Sequence, residues 1–202
     1  MAEQRRGQLI RAFIALQLGE NSLPTASSAI GALSVGPQGD AIRWVRPSNL
    51  HVTLRFLGNL REDLLEPLHR AVGSTVGAAP AFDLSIGPVG LFPRGHRPRV
   101  VAAGLVPEQP VIRLAATVDD GLEAAGIPRE DRAFRAHLTL GRIKRNAPRS
   151  LAGLEERIER LNLDREPPAT IDRVRQVVLF RSDLKPDGPV YTELWTAPLA
   201  GA

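Results

Sequence analysis

Two near-identical tetrapeptides, HVTL at residues 51–54 and HLTL at residues 137–140, constrain this chain more than any bulk property. In a β-strand, alternate side chains share a face. His51 and Thr53 therefore emerge on one side while Val52 and Leu54 enter a core, and His137 and Thr139 repeat this over Leu138 and Leu140. Each motif is followed by helical spacing, at 61–75 (Leu64, Leu65, Leu68, Val72) and at 151–163 (Leu154, Ile158, Leu161). A strand bearing H-x-T and then a helix thus occurs twice, which suggests a pseudo-twofold duplication.

The remaining segments agree with an antiparallel α+β fold. RAFIAL (11–16), FDLSIGPVGLF (82–92), RVVAAGL (99–105), FRAHLTLGRI (134–143), 174–182 and 190–199 read as strands. Residues 22–35 and 109–125 read as helices, the second closed by Gly126, and GPQGD (36–40) reads as a turn. No strand is the long apolar run of a buried parallel sheet. At 202 residues, one domain with two lobes is expected over 1–202.

Zero cysteines exclude disulfides and thiolate chemistry. Only Lys144 and Lys185 are lysines among 26 basic residues, so the +4 charge is carried by arginine. Arginine's planar fork suits phosphate, although an arginine-favouring composition explains the same excess. Arg5 and Arg6 precede LIRAFIALQL, but Arg11 and Gln17 interrupt the apolar stretch, so it is read as a first strand and not as a leader. The expectation is a cytoplasmic monomer with no membrane segment. His69 and His96 are expected at the surface, and Trp44 and Trp195 in the core.

Imidazole titrates nearest neutral pH, so a pair can work with one ring neutral and one protonated. One ring can take a proton from a nucleophile while the other gives one to a leaving oxygen. Threonine hydroxyls can donate to phosphate oxygens, and arginines can stabilise the transition-state charge. A zinc site would need further ligands, yet neither motif holds a carboxylate and there is no H-E-x-x-H. Walker and G-x-S-x-G patterns are also absent. Phosphoester cleavage fits the duplicated motif best, and sequence physics leaves open which histidine is acid and which base.

With its flanks (RAFIAL, WVRPSNLHVTLRFLGNL, GLFPR…RPRVV, FRAHLTLGRI and LFRSDLKPDGPVYTEL), the pair resembles the 2H phosphoesterases. It is most similar to the RNA 2′,3′-cyclic phosphodiesterases, historically called 2′-5′ RNA ligases, from about residue 10 to residue 198. The resemblance implies two lobes, each an antiparallel sheet flanked by helices, with a central cleft carrying both motifs. It implies hydrolysis of RNA 2′,3′-cyclic phosphate ends to 2′-phosphomonoesters, with no metal or other cofactor. By position His51 becomes the proton donor and His137 the proton acceptor.

The same resemblance makes Arg142 a phosphate contact and Phe56 an aromatic near the base. Both stand five residues after their histidine, where strict alternation points to the opposite face, so Arg142 requires a bulge that Gly141 could permit. Arg55 has the favourable parity and is a further candidate phosphate contact. Ala102 and Ala103 stand where relatives often carry a bulkier aromatic. The alternatives are 2′-5′ ligation or cleavage of small cyclic phosphates at the same site, or a noncatalytic RNA-binding domain whose basic surface does the work.

Overall fold

The computed structural model describes residues 7–93, 98–145, 153–164 and 172–202. His96 and most of the basic loop at 93–99 lie outside the described residues. The nine described strands form two antiparallel sheets. The first has the order β3-β1-β8-β9, from β1 (Leu9–Gln17), β3 (His51–Arg61), β8 (Gln176–Lys185) and β9 (Gly188–Pro198). The second has the order β2-β6-β5-β4-β7, from β2 (Ile42–Trp44), β4 (Phe82–Phe92), β5 (Val100–Val106), β6 (Leu138–Ile143) and β7 (Asp172–Val174). Each motif is thus assigned to a different sheet.

Helices cover the faces opposite the motifs. In α3 (Leu65–Val76), Leu68, Val72 and Val76 recur at the four-residue spacing that gives one buried stripe. In α4 (Glu108–Ala124) the stripe is Val111, Leu114, Ala115, Val118 and Leu122. The two helices approach closely at Gly121, where a Cβ would lie 2.7 Å from the Cα of Val72. The Thr75 hydroxyl donates across this seam to the Thr117 carbonyl at 3.0 Å. Helices α1 (Ser22–Ser34) and α5 (Leu154–Leu163) lie on β4 of the second sheet. Fully burying each such aliphatic side chain stabilises the fold by about 1.5–3 kcal/mol.

Helix α1 is capped by a residue far away in sequence. The Asp172 carboxylate accepts from the backbone N–H groups of Gly19, Asn21 and Ser22 at 3.0–3.2 Å. The three-residue strand β7 brings that carboxylate to the helix start, where its charge also meets the positive end of the helix dipole. No periodicity announces so short a strand, and sequence reading missed it.

Three local expectations need correction. Residues 36–40 form a short helix, α2 (Gly36–Asp40), in place of a turn: Pro37 sits in its first turn, where a missing N–H costs nothing. Strand β6 begins at Leu138 and leaves 134–137 irregular. His69 is not a surface residue; it is half-buried, stacks on Trp195 at 5.0 Å and meets the Thr196 carbonyl at 3.0 Å, so it fastens α3 to β9. No helix among the described residues is long and apolar enough to cross a membrane.

Candidate active site

The two motif histidines are held in the same way. The Nδ1 of His51 lies 2.7 Å from the Asn49 carbonyl, and the Nδ1 of His137 lies 2.8 Å from the Arg135 carbonyl. A carbonyl only accepts, so Nδ1 carries the proton in both rings and Nε2 is left to exchange one. Each acceptor is two residues before its histidine, so the approach to each strand fixes its own tautomer. Both rings also lean on aromatics: Phe13 and Tyr191 lie 4.7 and 5.2 Å from His51, and Phe92 stacks on His137 at 4.9 Å. Arg135 completes the second stack, 5.7 Å above Phe92.

Asn49 has a second task. Its side-chain amide donates to the Pro189 carbonyl at 2.8 Å, while Arg46 donates to the Asp187 carbonyl at 2.9 Å. The turn between β8 and β9 thereby braces the short 3-10 turn at Pro47–Asn49 that delivers His51.

Matched bulges decide what else shares the histidine faces. In β3, Thr53 pairs with Ala15 and Arg55 with Ile14, which leaves Leu54 as the extra residue. In β6, Thr139 pairs with Ala102 and Gly141 with Val101, leaving Leu140 extra. Each bulge thus falls at the fourth motif position and reverses the parity of the residues that follow, in β3 as far as a second bulge at Leu57.

Phe56 consequently joins His51 and Thr53, pairing with Phe13 and lying 5.8 Å from its ring. Arg142 joins Thr139, on the face set by its partner Val100. Gly141 is needed here because Ile42 and Trp44 press against it, at 2.5 and 2.8 Å from where a Cβ would stand. The expected re-aiming of Arg142 is therefore present, and it has an unexpected twin in the first motif.

That twin overturns the expectation for Arg55. Alternation put Arg55 on the histidine face, but the bulge at Leu54 turns it into the core, where it is 8% exposed. Its guanidinium donates to the Pro128 carbonyl at 2.5 Å and pairs with Asp119 at 3.1 Å, with Glu130 at 3.9 Å. Arg55 ties β3 to α4 and to the segment after it, and is a structural residue.

Electrostatics link the two sheets. The His51 pKa is lowered, first by burial and then by the charges of Arg142 and His137, against the raising influence of the Asn49 carbonyl. Tyr191 is raised by burial, while Arg142 and Arg11 pull it back. Arg142 therefore acts on both groups of the first sheet. Arg142 is exposed and has no acidic partner among the described residues, and the Thr53 and Thr139 hydroxyls have no hydrogen-bond partner among them. A cavity of about 350 Å³ lies near the same end of β1 but is lined by Leu16, Val52, Ile86 and Asp172 and touches neither histidine.

Sequence reading missed Tyr191. Nothing in VYTELW marks a site residue, because the strand carrying it lies about 140 positions from the histidine it touches. Only the register of β9 reveals it.

An antiparallel two-sheet α+β frame with two identically tethered imidazoles is the class that this structure defines. The family model of the 2′-5′ RNA ligase superfamily matches residues 30–184, and the chain belongs to that superfamily. Its curated relatives include the RNA 2′,3′-cyclic phosphodiesterase of Archaeoglobus fulgidus, 34% identical over 92% of this chain and 98% of the relative. The protein of the same name from Methanothermobacter thermautotrophicus is 33% identical over 92% of this chain and 96% of its own length. Among solved structures, a protein of Thermus thermophilus superposes with a TM-score of 0.73 at 31% identity, covering 95% of this chain and 99% of that one. Escherichia coli LigT in its apo form gives 0.70 at 25% identity, over 96% and 99%.

Proposed function

We propose that this protein hydrolyses RNA 2′,3′-cyclic phosphate termini to 2′-phosphomonoesters, as its relatives' names indicate for them. The observation that carries the reading is the pair of Nδ1–H bonds to carbonyls two residues upstream, which leaves two Nε2 atoms to exchange protons. Support for a duplicated, pseudo-symmetric site comes from the matching bulges at Leu54 and Leu140.

In the proposed reaction, Nε2 of His137 takes a proton from water as its oxygen bonds to phosphorus. The P–O3′ bond breaks, and Nε2 of His51 gives its proton to the departing O3′. Thr53 and Thr139 donate to the non-bridging oxygens, Arg142 balances their negative charge, and Phe56 offers its exposed ring to the base. Every proton is accounted for by the two rings and one water, so the chemistry needs no metal.

The lowered pKa of His51 adds a condition. With Nδ1 already donating, the free protein's His51 is mostly neutral at pH 7 and has no Nε2 proton to give. An arriving phosphate anion offsets Arg142 and recharges the ring, so the acid is armed by its substrate.

The test is an oligonucleotide ending in 2′,3′-cyclic phosphate, incubated with protein and EDTA and analysed by mass spectrometry and phosphorus NMR. A 2′-phosphate end is expected, and His51→Ala or His137→Ala should each slow the reaction by about 10²–10⁴-fold. Undiminished turnover in both variants sinks the acid/base assignment. Joining 2′-5′ ends would use the same groups with a 5′-hydroxyl in place of water: His137 takes its proton, its oxygen bonds to phosphorus, the P–O3′ bond breaks and His51 protonates O3′. In dilute solution water outcompetes that hydroxyl and hydrolysis wins.

A further inference from the structure

Arg43 and Arg142 stand directly opposite each other on the antiparallel strands β2 and β6. Opposed residues in such a pair project from the same face, on strands about 4.8 Å apart, and like charges placed so are destabilising. Both arginines are exposed, and neither has an acidic partner among the described residues. Other described arginines, among them Arg61, Arg129, Arg173 and Arg181, each meet a carboxylate. What sets Arg43 and Arg142 apart is their direct opposition on neighbouring strands of the histidine face with no carboxylate between them, which makes room for an anion from outside.

The two cations are not equivalent. Arg142 influences His51 and Tyr191 of the other sheet, whereas Arg43 influences neither. Arg43 sits on β2, the edge strand beyond β6, and so faces the rim of the site. The opposite face of β2 anchors it: Ile42 is 3% exposed, and the Trp44 indole donates to the Gly39 carbonyl at 3.1 Å. Arg43 is held in place by a strand whose inner side is committed to the core.

We propose that Arg43 is a specificity-determining residue that grips the internucleotide phosphate one step inward from the RNA end, so that the site favours an oligonucleotide over a mononucleotide. This rests on the reading that the site takes RNA ends. Arg142 meets the terminal phosphate, and the chain entering over β2 brings its next phosphate to Arg43. Two phosphates then separate the two guanidinium groups electrostatically and relieve the repulsion. Such a contact positions the strand and carries no base preference.

The experiment uses the full chain with two probes: a dye-labelled tetranucleotide ending in 2′-phosphate, and adenosine 2′-phosphate as its competitor. Anisotropy titrations at several salt concentrations give both affinities and the slope of log K against log salt. In Arg43→Gln the tetranucleotide slope should shrink by about 0.7, the value for one phosphate contact on a single strand. The preference for the tetranucleotide over the mononucleotide should fall roughly two- to fivefold, as for an exposed ion pair. Arg43→Lys should restore the slope, and Arg142→Gln should weaken both probes.

An unchanged slope in Arg43→Gln, or an equal loss for both probes, overturns the proposal. So does a wild type that binds the two probes alike. Hydrolysis of a cyclic-phosphate end by the same wild-type sample is read separately. Turnover with an unchanged slope defeats only the role of Arg43, while a reduced slope without turnover defeats the hydrolytic reading and leaves the phosphate grip standing.

Discussion

Replacing Arg55 by Met separates a structural arginine from a substrate contact. The substitution keeps the length of the side chain but removes the donor to the Pro128 carbonyl and the partner of Asp119. Breaking a fully buried ion pair costs about 3–5 kcal/mol because the orphaned charge stays behind. Here Asp119 is 24% exposed and water can reach it, so the cost falls to about 2–3 kcal/mol. In a chain of this size each kcal/mol moves Tm by about 2–4 °C, which gives a loss of about 4–12 °C.

The pH dependence has a definite sign. Burial raises the Asp119 pKa and Arg55 lowers it, so the variant's carboxyl rises further. The protonated acid needs no partner, hence the Tm gap should be widest at neutral pH and narrow as pH falls through the raised pKa. Thermal melts from pH 7 down to pH 4 measure this. KM for a cyclic-phosphate oligonucleotide at 25 °C, where the variant remains folded, should stay within about twofold of wild type. An intact Tm combined with a tenfold higher KM would refute the reasoning and return Arg55 to the substrate.

Two further outcomes are expected. The alkaline limb of the kcat/KM profile should report the lowered His51 pKa of the free protein, and the kcat profile should place that limb at higher pH because bound phosphate stabilises the ring's proton; coincident limbs would refute substrate arming. Gly141→Ala should destabilise by about 1–3 kcal/mol, since its Cβ meets Ile42 and Trp44, and should raise KM by displacing Arg142; denaturant unfolding with steady-state kinetics checks both, and a neutral result would mean that β2 yields easily.

Much of this site was legible because a four-residue motif repeated on strands encodes direction as well as chemistry. The faces of His51, Thr53, His137 and Thr139 follow from alternation alone, and the stripes of α3 and α4 from helical spacing. What alternation cannot show is an interruption of itself. The bulge at Leu54 exchanged the destinations of Arg55 and Phe56, and no glycine at 55 advertised it as Gly141 did in β6. Asp172 and Tyr191 escaped for another reason. Their roles arise from pairing between distant segments, and a three-residue strand or a single aromatic leaves no periodic trace.

The order β3-β1-β8-β9 carries a consequence for biosynthesis. Strand β1 emerges from the ribosome early, yet one of its edges waits for β8, and the His51 ring waits for Tyr191 and for the Pro189 carbonyl that steadies Asn49. The second sheet, including His137, is translated in between. A nascent chain halted before residue 189 thus already carries both imidazoles but lacks the brace for the first, so competence is deferred until translation has passed the closing hairpin.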